Sequence, residues 1–323
     1  MDTVLLTGAT GFVGRRVDPE LEAAGFSVRR ATRHPEAVAK GHPDAQWVEL
    51  DVNRSETIGP ALRGVRSAIY LVHGMAGGPG YEERERTAAL AFRQAAADSG
   101  LERIVYLGGA APRGRPSRHL RSRLATGEIL RAGKVPVFEL RASMIIGRGS
   151  VSWQIVRDLA ARLPAMLLPK WLATRSQPIG IDDVAHGIVA ALKLPIEAAG
   201  VHDLPGPEVL TAKEILLRIA ALRGTRPITF DVPILSPRLS SYWLKFVTGA
   251  DYQVARELVE GLSSDLIASG RGLWEKVPDH RLASFDEAAR RALAEEPIVR
   301  SRGKMVEQAV TKISRHVAPS RST

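Results

Sequence analysis

Thr7-Gly8-Ala9-Thr10-Gly11-Phe12-Val13-Gly14 follows the short apolar run Thr3-Val4-Leu5-Leu6 and opens a segment whose apolar residues, Val13, Val17, Leu21 and Ala24, recur at helical spacing. Between a first strand and a first helix, three glycines do separate work. Gly8 permits the tight turn, Gly11 lets the main chain approach a pyrophosphate, and Gly14 lets helix and strand pack closely. The helix then turns its free N–H groups and the positive end of its dipole toward the phosphates. The stretch therefore predicts a dinucleotide site, with contacts from Gly8, Thr10, Gly11, Phe12, Val13 and Gly14. Pro19 lies inside the helical segment and is expected to kink it.

Outward from this turn the alternation continues. Residues 26–31, 47–50, 68–72, 103–107 and 135–140 read as strands, and helical segments such as 81–99 and 117–132 separate most of them. This rhythm predicts a Rossmann-type α/β fold, a doubly wound parallel sheet with helices on both faces. After about Gly149 the rhythm loosens. Helical segments near 150–162, 182–192 and 211–223 are joined by connections containing Pro164, Pro169, Pro178, Pro195, Pro205 and Pro207. The expected organisation is a dinucleotide-binding core over 1–149, a smaller mixed α/β lid and substrate region over 150–300 that partly completes the core, and a basic tail over 301–323.

The end of the second strand selects the cofactor. NAD binders carry an acid there, roughly 20 positions after the glycine motif, to hold the ribose 2′-hydroxyl. Here the stretch is Val28-Arg29-Arg30-Ala31-Thr32-Arg33. Arg33 is suited to clamp a 2′-phosphate, so NADP(H) is expected ahead of NAD(H). Asp51 and Val52, just after the third strand, are expected at the adenine edge.

Composition narrows the function classes. Of 323 residues 45% are apolar and 25% charged, values that exclude wholesale disorder. The absence of cysteine removes disulfides, thiolate metal sites and cysteine nucleophiles. The eight histidines show no HExxH-like spacing, and no Gly-x-Ser-x-Gly elbow is present, so neither metal nor serine-hydrolase chemistry is expected. No apolar stretch reaches the roughly 18 residues of a membrane span, and Met1-Asp2 leads straight into a strand, so a cytoplasmic protein without stable membrane insertion is expected. Lys and Arg exceed Asp and Glu by 45 to 35, and only nine of the 45 are Lys. Such a balance favours anionic company. Arg113, Arg115, Arg118, Arg121 and Arg123 fall within eleven residues, over either a substrate anion or solvent; with no aromatic residues interleaved, nucleic acid is not expected.

Bulky apolar residues in the second half, Trp153, Met166, Leu167, Leu168 and Trp171, offer surface for a small-molecule substrate. Leu239, Tyr242, Trp243, Phe246 and Val247 form one helical stripe, fit for core packing, a homodimer contact or a substrate channel.

Several motifs in order resemble the short-chain dehydrogenase/reductase superfamily, specifically its atypical, extended-type members of the epimerase/dehydratase-like and NmrA-like kinds. The likeness covers about residues 3–260. Beyond the glycine turn it rests on Tyr106-Leu107-Gly108-Gly109, on Leu140-Arg141-Ala142-Ser143-Met144-Ile145-Ile146-Gly147, on Pro178-Ile179-Gly180-Ile181-Asp182-Asp183-Val184-Ala185 and on Leu204-Pro205-Gly206-Pro207-Glu208. The resemblance implies further cofactor contacts at Leu71, Val72 and His73 after the fourth strand and at Arg141 and Met144 after the sixth. Related enzymes use a Tyr-x-x-x-Lys pair, and counting back from Arg141 puts His119 and Arg123 in those positions. Gly108-Gly109 stands where relatives carry a serine, and Ala91 where they often carry a helix asparagine. His119 is thus the candidate proton carrier, Arg123 its partner, and His73 a second candidate. The resemblance implies an oxidoreductase acting on a carbonyl or activated alkene of an apolar, anionic-capable small molecule. A non-catalytic NADP(H)-binding sensor or accessory protein, and an epimerase or dehydratase that recycles its cofactor, stay open as alternatives.

Overall fold

Strands form where the apolar runs predict them. The computed structural model describes residues 1–73, 78, 80–162, 165–232 and 264–296. Its first half runs β1 (Thr3–Leu6), α1 (Phe12–Ala23), β2 (Ser27–Thr32), α2 (Pro35–Ala39), β3 (Gln46–Glu49), α3 (Ile58–Leu62), β4 (Ser67–Tyr70), α4 (Tyr81–Asp98), β5 (Arg103–Gly109), α5 (Arg118–Arg131) and β6 (Val137–Ala142). Then come β7 (Ile145–Ile146), α6 (Val151–Arg162), β8 (Ala165–Pro169), β9 (Arg175–Ser176), β10 (Ile179–Gly180), α7 (Ile181–Lys193), β11 (Gly200–Asp203), β12 (Leu210–Thr211), α8 (Ala212–Leu222), β13 (Ile228–Val232) and α9 (Phe285–Glu295).

Seven strands pair in the order β11-β6-β5-β4-β1-β2-β3, every neighbour parallel. The order reverses between β1 and β4, the switch point at which such sheets bind ligands. Thr7 ties that point together. Its buried hydroxyl donates to the Ile69 carbonyl at 2.9 Å and accepts from the Leu71 N–H at 2.9 Å.

Alternate strand residues feed two cores, as the two-residue strand period requires. Val4, Leu6, Val105, Leu107, Phe138 and Leu140 face α1 and α7, which contribute Val17, Leu21, Val184 and Ile188. Leu5, Tyr70, Ile104 and Tyr106 face α3, α4 and α5, which contribute Ile58, Leu62, Phe92 and Leu130. Each such side chain, fully buried, contributes about 1.5–3 kcal/mol. Arg103 at the start of β5 closes the C-terminus of α7, donating to the Leu192 and Leu194 carbonyls at 2.7 Å each, which suits a cation at a helix's negative end.

A third core joins α6, α8 and α9 through Trp153, Ile215, Ile219 and Phe285. Trp153 is fully buried there, so the expected substrate surface is, at this residue, core. The side chains of Met166, Leu167, Leu168 and Trp171, the stripe from Leu239 to Val247 and the basic tail lie outside the described residues. Helix α1 continues through Pro19, whose exposed position turns the missing hydrogen bond toward solvent. Among the described residues no helix is long and apolar enough to cross a membrane.

Candidate dinucleotide and substrate cleft

Gly11 N–H donates to the Gly8 carbonyl at 2.9 Å, closing the turn, and Gly8 has φ +67°, the left-handed conformation that glycine adopts without strain. A Cβ on Gly14 would lie 2.2 Å from the Gly8 oxygen. Gly14 thus lets α1 seat on the turn itself, a closer approach than helix-on-strand packing alone. Gly11 caps α1 without a side-chain hydrogen bond, and the first turn holds no acid. The N–H groups of Phe12, Val13 and Gly14 in the first turn make no backbone hydrogen bond outside the helix among the described residues, Thr10 and Gly11 lie on the exposed rim, and the cradle fits a pyrophosphate.

At the end of β2, three arginines have different fates. Arg30 is buried on Asp18 and Glu22, and Arg29 donates to the Ala61 and Arg63 carbonyls. Arg33 is exposed and makes no ion pair among the described residues. Past β3, the Asp51 carboxylate accepts from the Asn53 N–H at 3.0 Å, while Val52 is buried. Asp51 stabilises its own turn.

A cleft of about 320 Å³ opens above the C-terminal ends of β4, β5 and β6, beside the start of α1. Phe12, Val13, Leu71, Leu107, Met144 and Ile155 give it apolar walls, and His73, His119 and Arg123 a polar side. The structure therefore gathers Phe12 and Val13, at the start of α1, and the candidate proton carriers in one space, while Gly8, Thr10, Gly11 and Gly14 lie outside its lining. Val72 does not line it; its side chain packs against the core on the α4 face. Nor does Arg141, which turns to Glu139 and a neighbouring cleft.

The polar side has a definite electrostatic character. His119 Nδ1 is buried without a hydrogen-bond partner. Burial, and then the charge of Arg123, lower its pKa to about 4, so the ring is neutral at pH 7. His73, whose side chain is 41% exposed, lies with its ring centroid 6.0 Å from that of His119. The Arg123 guanidinium donates to the Leu107 carbonyl and lies 5.4 Å over the Tyr106 ring, while Tyr106 donates its hydroxyl to the Arg123 carbonyl at 2.8 Å. Arg123 is thus anchored in the cleft wall, where its charge is felt more than its hydrogen bonds are free.

No tyrosine replaces the missing one among the described residues that line the cleft. Tyr70, Tyr81 and Tyr106 are buried, and burial pushes Tyr106 up to about 12. Gly109, where relatives carry serine, admits α5: a Cβ there would meet Leu120 at 2.9 Å. Ala91 faces α3, beside Ser55, Arg63 and Gln94, away from the cleft.

Two acids escaped the sequence reading. Glu85 on α4 is buried, accepts from the Ser122 hydroxyl and lies 3.9 Å from His73 Nδ1. Its signal is an acid within the buried face Tyr81, Glu85, Ala88, Ala89 and Phe92. Glu139 on β6 is fully buried between Arg131 and Arg141, each at 2.7 Å, beneath Gly127, where a Cβ would come 2.4 Å from the carboxylate. The arginine run also divides. Arg118 and Arg121 pair with Glu82, at 2.7 and 3.9 Å, Arg115 is exposed, and Arg113 joins Arg141 in the second cleft, of about 410 Å³. Among the described residues, no three His, Asp or Glu side chains form a metal-binding group.

Comparison with known proteins agrees with this architecture. A family model described as NAD(P)H-binding matches residues 8–195. The (4-alkanoyl-5-oxo-2,5-dihydrofuran-3-yl)methyl phosphate reductase of Streptomyces griseus subsp. griseus is 29% identical over 238 residues, 71% of this chain and 76% of that protein. The crystal structure of Citrobacter sp. triphenylmethane reductase complexed with NADP(H) has a TM-score of 0.71 at 17% identity, covering 90% of this chain and 99% of that one. A nucleoside-diphosphate-sugar epimerase from Staphylococcus aureus has a TM-score of 0.69 at 17% identity, covering 90% of this chain and all of that one (100%). Thermus thermophilus UDP-glucose 4-epimerase in complex with NAD has a TM-score of 0.57 at 18% identity, over 80% of this chain and 98% of that one.

Proposed function

The chain belongs to the NAD(P)H-binding family, among the atypical short-chain dehydrogenase/reductases, and from that premise we propose that it is an NADP(H)-dependent oxidoreductase acting on a carbonyl or activated alkene of an apolar small molecule. One observation carries the proposal: Phe12 and Val13, which follow the glycine turn at the start of α1, and the His119–Arg123 pair share a cleft with mostly apolar walls. In this reading residues 1–149 hold the cofactor, and 150–300 supply most of the substrate's surroundings.

The α1 N–H groups bind the pyrophosphate, and Arg33 binds the 2′-phosphate, no acid being present from Val28 to Arg33. When bound, NADPH supplies a hydride. Phe12, Leu71 and Met144 exclude water from the reacting atoms. Arg123 stabilises negative charge developing on a substrate oxygen, because its fixed cation works in a poorly hydrated wall. Neutral His119 donates a ring hydrogen bond to that oxygen and passes it the proton, recovering one from water. The Streptomyces griseus relative supports the substrate class, since its named substrate holds a ring alkene flanked by two carbonyl groups, together with a phosphate.

A second reading has one observation behind it. Arg123 spends hydrogen bonding on the Leu107 carbonyl, where related enzymes offer a lysine to the ribose, which favours a protein that binds NADP(H) without turning over.

Titration calorimetry with NADPH and NADH, alongside Arg33→Ala, tests the cofactor reading. The expected result is NADPH binding at least tenfold tighter, about 1.4 kcal/mol, with that preference lost in the variant. Equal binding of both cofactors removes Arg33 from the argument. Single-turnover NADPH oxidation with cyclic enones then separates enzyme from sensor.

A further inference from the structure

We propose that the second cleft is the subsite for a phosphate-monoester group on the substrate, with Arg141 and Arg113 as its cations; the proposal rests on the oxidoreductase reading and locates the polar end of that substrate. The two clefts are neighbours, with Ser143 and Leu266 in the walls of both. A ligand with its reacting carbon beside His119 therefore extends past Ser143 into a chamber of about 410 Å³.

Arg141 is built for this task. Its Nε donates to Glu139 at 2.7 Å, and Arg131 holds the same carboxylate from its other oxygen. Glu139 is fully buried, so the Arg141 guanidinium is fixed in orientation, while its terminal nitrogens make no hydrogen bond among the described residues. Its side chain is 16% exposed, and a charge so shielded from water attracts an anion more strongly than a surface one does. Arg113, an exposed residue in the loop after β5, lines the same chamber. The nearby acid Asp265 is already held by Arg175 through contacts of 2.7 and 3.1 Å. One carboxylate, Asp203, also lines the chamber, against the two guanidiniums.

Two cations from separate elements, β6 and the loop after β5, suit a dianion with several acceptor oxygens. A carboxylate would be satisfied by one guanidinium fork. Pre-orientation by Glu139 lowers the entropy lost when the group binds.

The test titrates phenyl phosphate into protein saturated with NADPH, which blocks the 2′-phosphate pocket, and repeats it with Arg113→Gln and Arg141→Gln. The expected result is saturable one-to-one binding, weakened at least tenfold by either substitution, with NADPH affinity unchanged within twofold. Arg113 makes no ion pair among the described residues, so Arg113→Gln decides the matter even if Arg141→Gln destabilises the Glu139 pair. Phenyl phosphate binding that ignores both substitutions, or benzoate binding as tightly with the same dependence, overturns the proposal. Failure of NADPH to bind is a different failure. It removes the cofactor reading, and the same variants then report on the chamber by phenyl phosphate titration of the protein alone, beside an Arg33→Ala control.

Discussion

A methyl group on Gly14 would sit 2.2 Å from the Gly8 oxygen and 2.8 Å from Ala9 Cα, both backbone atoms that cannot yield without moving the turn. Gly14→Ala is therefore expected to cost about 1–3 kcal/mol by overpacking and to abolish NADPH binding. Gly25→Ala supplies the control: at φ +88° with nothing within 4 Å of its Cβ, it costs about 1–2 kcal/mol of backbone strain and leaves binding intact. Urea unfolding and calorimetry on the two variants read the difference. His119 carries a pH signature. Its native pKa of about 4 lies below the ordinary value of 6.5, so under pH 6.5 the unfolded chain takes up a proton that the native state refuses. Stability then falls as pH drops from about 6.5 toward 4, by at most about 1.4 kcal/mol per pH unit. His186 acts in the same direction, and Asp183, raised by burial, opposes it. Urea midpoints between pH 7.5 and 5 should show a shallower slope for His119→Asn; an identical slope would place the ring in solvent. The glycines were legible because their spacing alone states their task. Glu85 and Glu139 were not, since a buried acid is recognised by partners such as Ser122 and Arg131 that only the fold brings to it.

Elements that bury their own apolar face could be read directly, as with α4 and α5, whose expected and observed bounds agree within a residue. Strand β11 could not be read. Gly200-Val201-His202-Asp203 has one strongly apolar residue, and Val201 is exposed; the strand exists because β6 offers it hydrogen bonds. Helix α9 carried a signal in its capping box, Ser284 with Glu287, three residues apart before an apolar run. What holds the 264–296 segment down is Trp274. It is 1% exposed, donates its ring N–H to the Pro205 carbonyl at 2.8 Å and stacks on His280, which in turn meets Asp183 at 2.8 Å. Trp274→Ala is expected to cost about 3–5 kcal/mol, and because Leu266 of that segment walls both clefts, phenyl phosphate binding should weaken with it. Differential scanning calorimetry together with that titration checks both effects. Trp274→Phe, which keeps the bulk but loses the hydrogen bond, should recover most of the stability.

At the scale of the molecule, the sequence suggests a seam near Gly149 that the packing crosses repeatedly. The last strand of the sheet, β11, comes from beyond it and covers the edge of β6. Helix α7 also comes from beyond it, and Ile181, Val184, Ile188 and Leu192 close the face on which α1 lays Val17 and Leu21. Losing four such side chains removes about 6–12 kcal/mol of apolar burial, at about 1.5–3 kcal/mol each. That equals the whole stability of an ordinary domain, about 5–15 kcal/mol. The cofactor-binding half therefore has no margin of its own, although it contains the entire glycine turn. A fragment of residues 1–149 is expected to be unfolded or aggregated, without a cooperative thermal transition, and to bind no NADPH. A fragment of residues 1–296 retains β11, α7, α8 and α9 together with Trp274 and is expected to melt cooperatively and to gain stability from NADPH, by about 2.7 kcal/mol at a hundredfold excess over its Kd. Circular dichroism melts of both fragments, with and without NADPH, read the prediction. A cooperative, NADPH-responsive 1–149 fragment would mean that the sheet tolerates an open face and a bare edge, and that the seam in the sequence is a folding boundary after all.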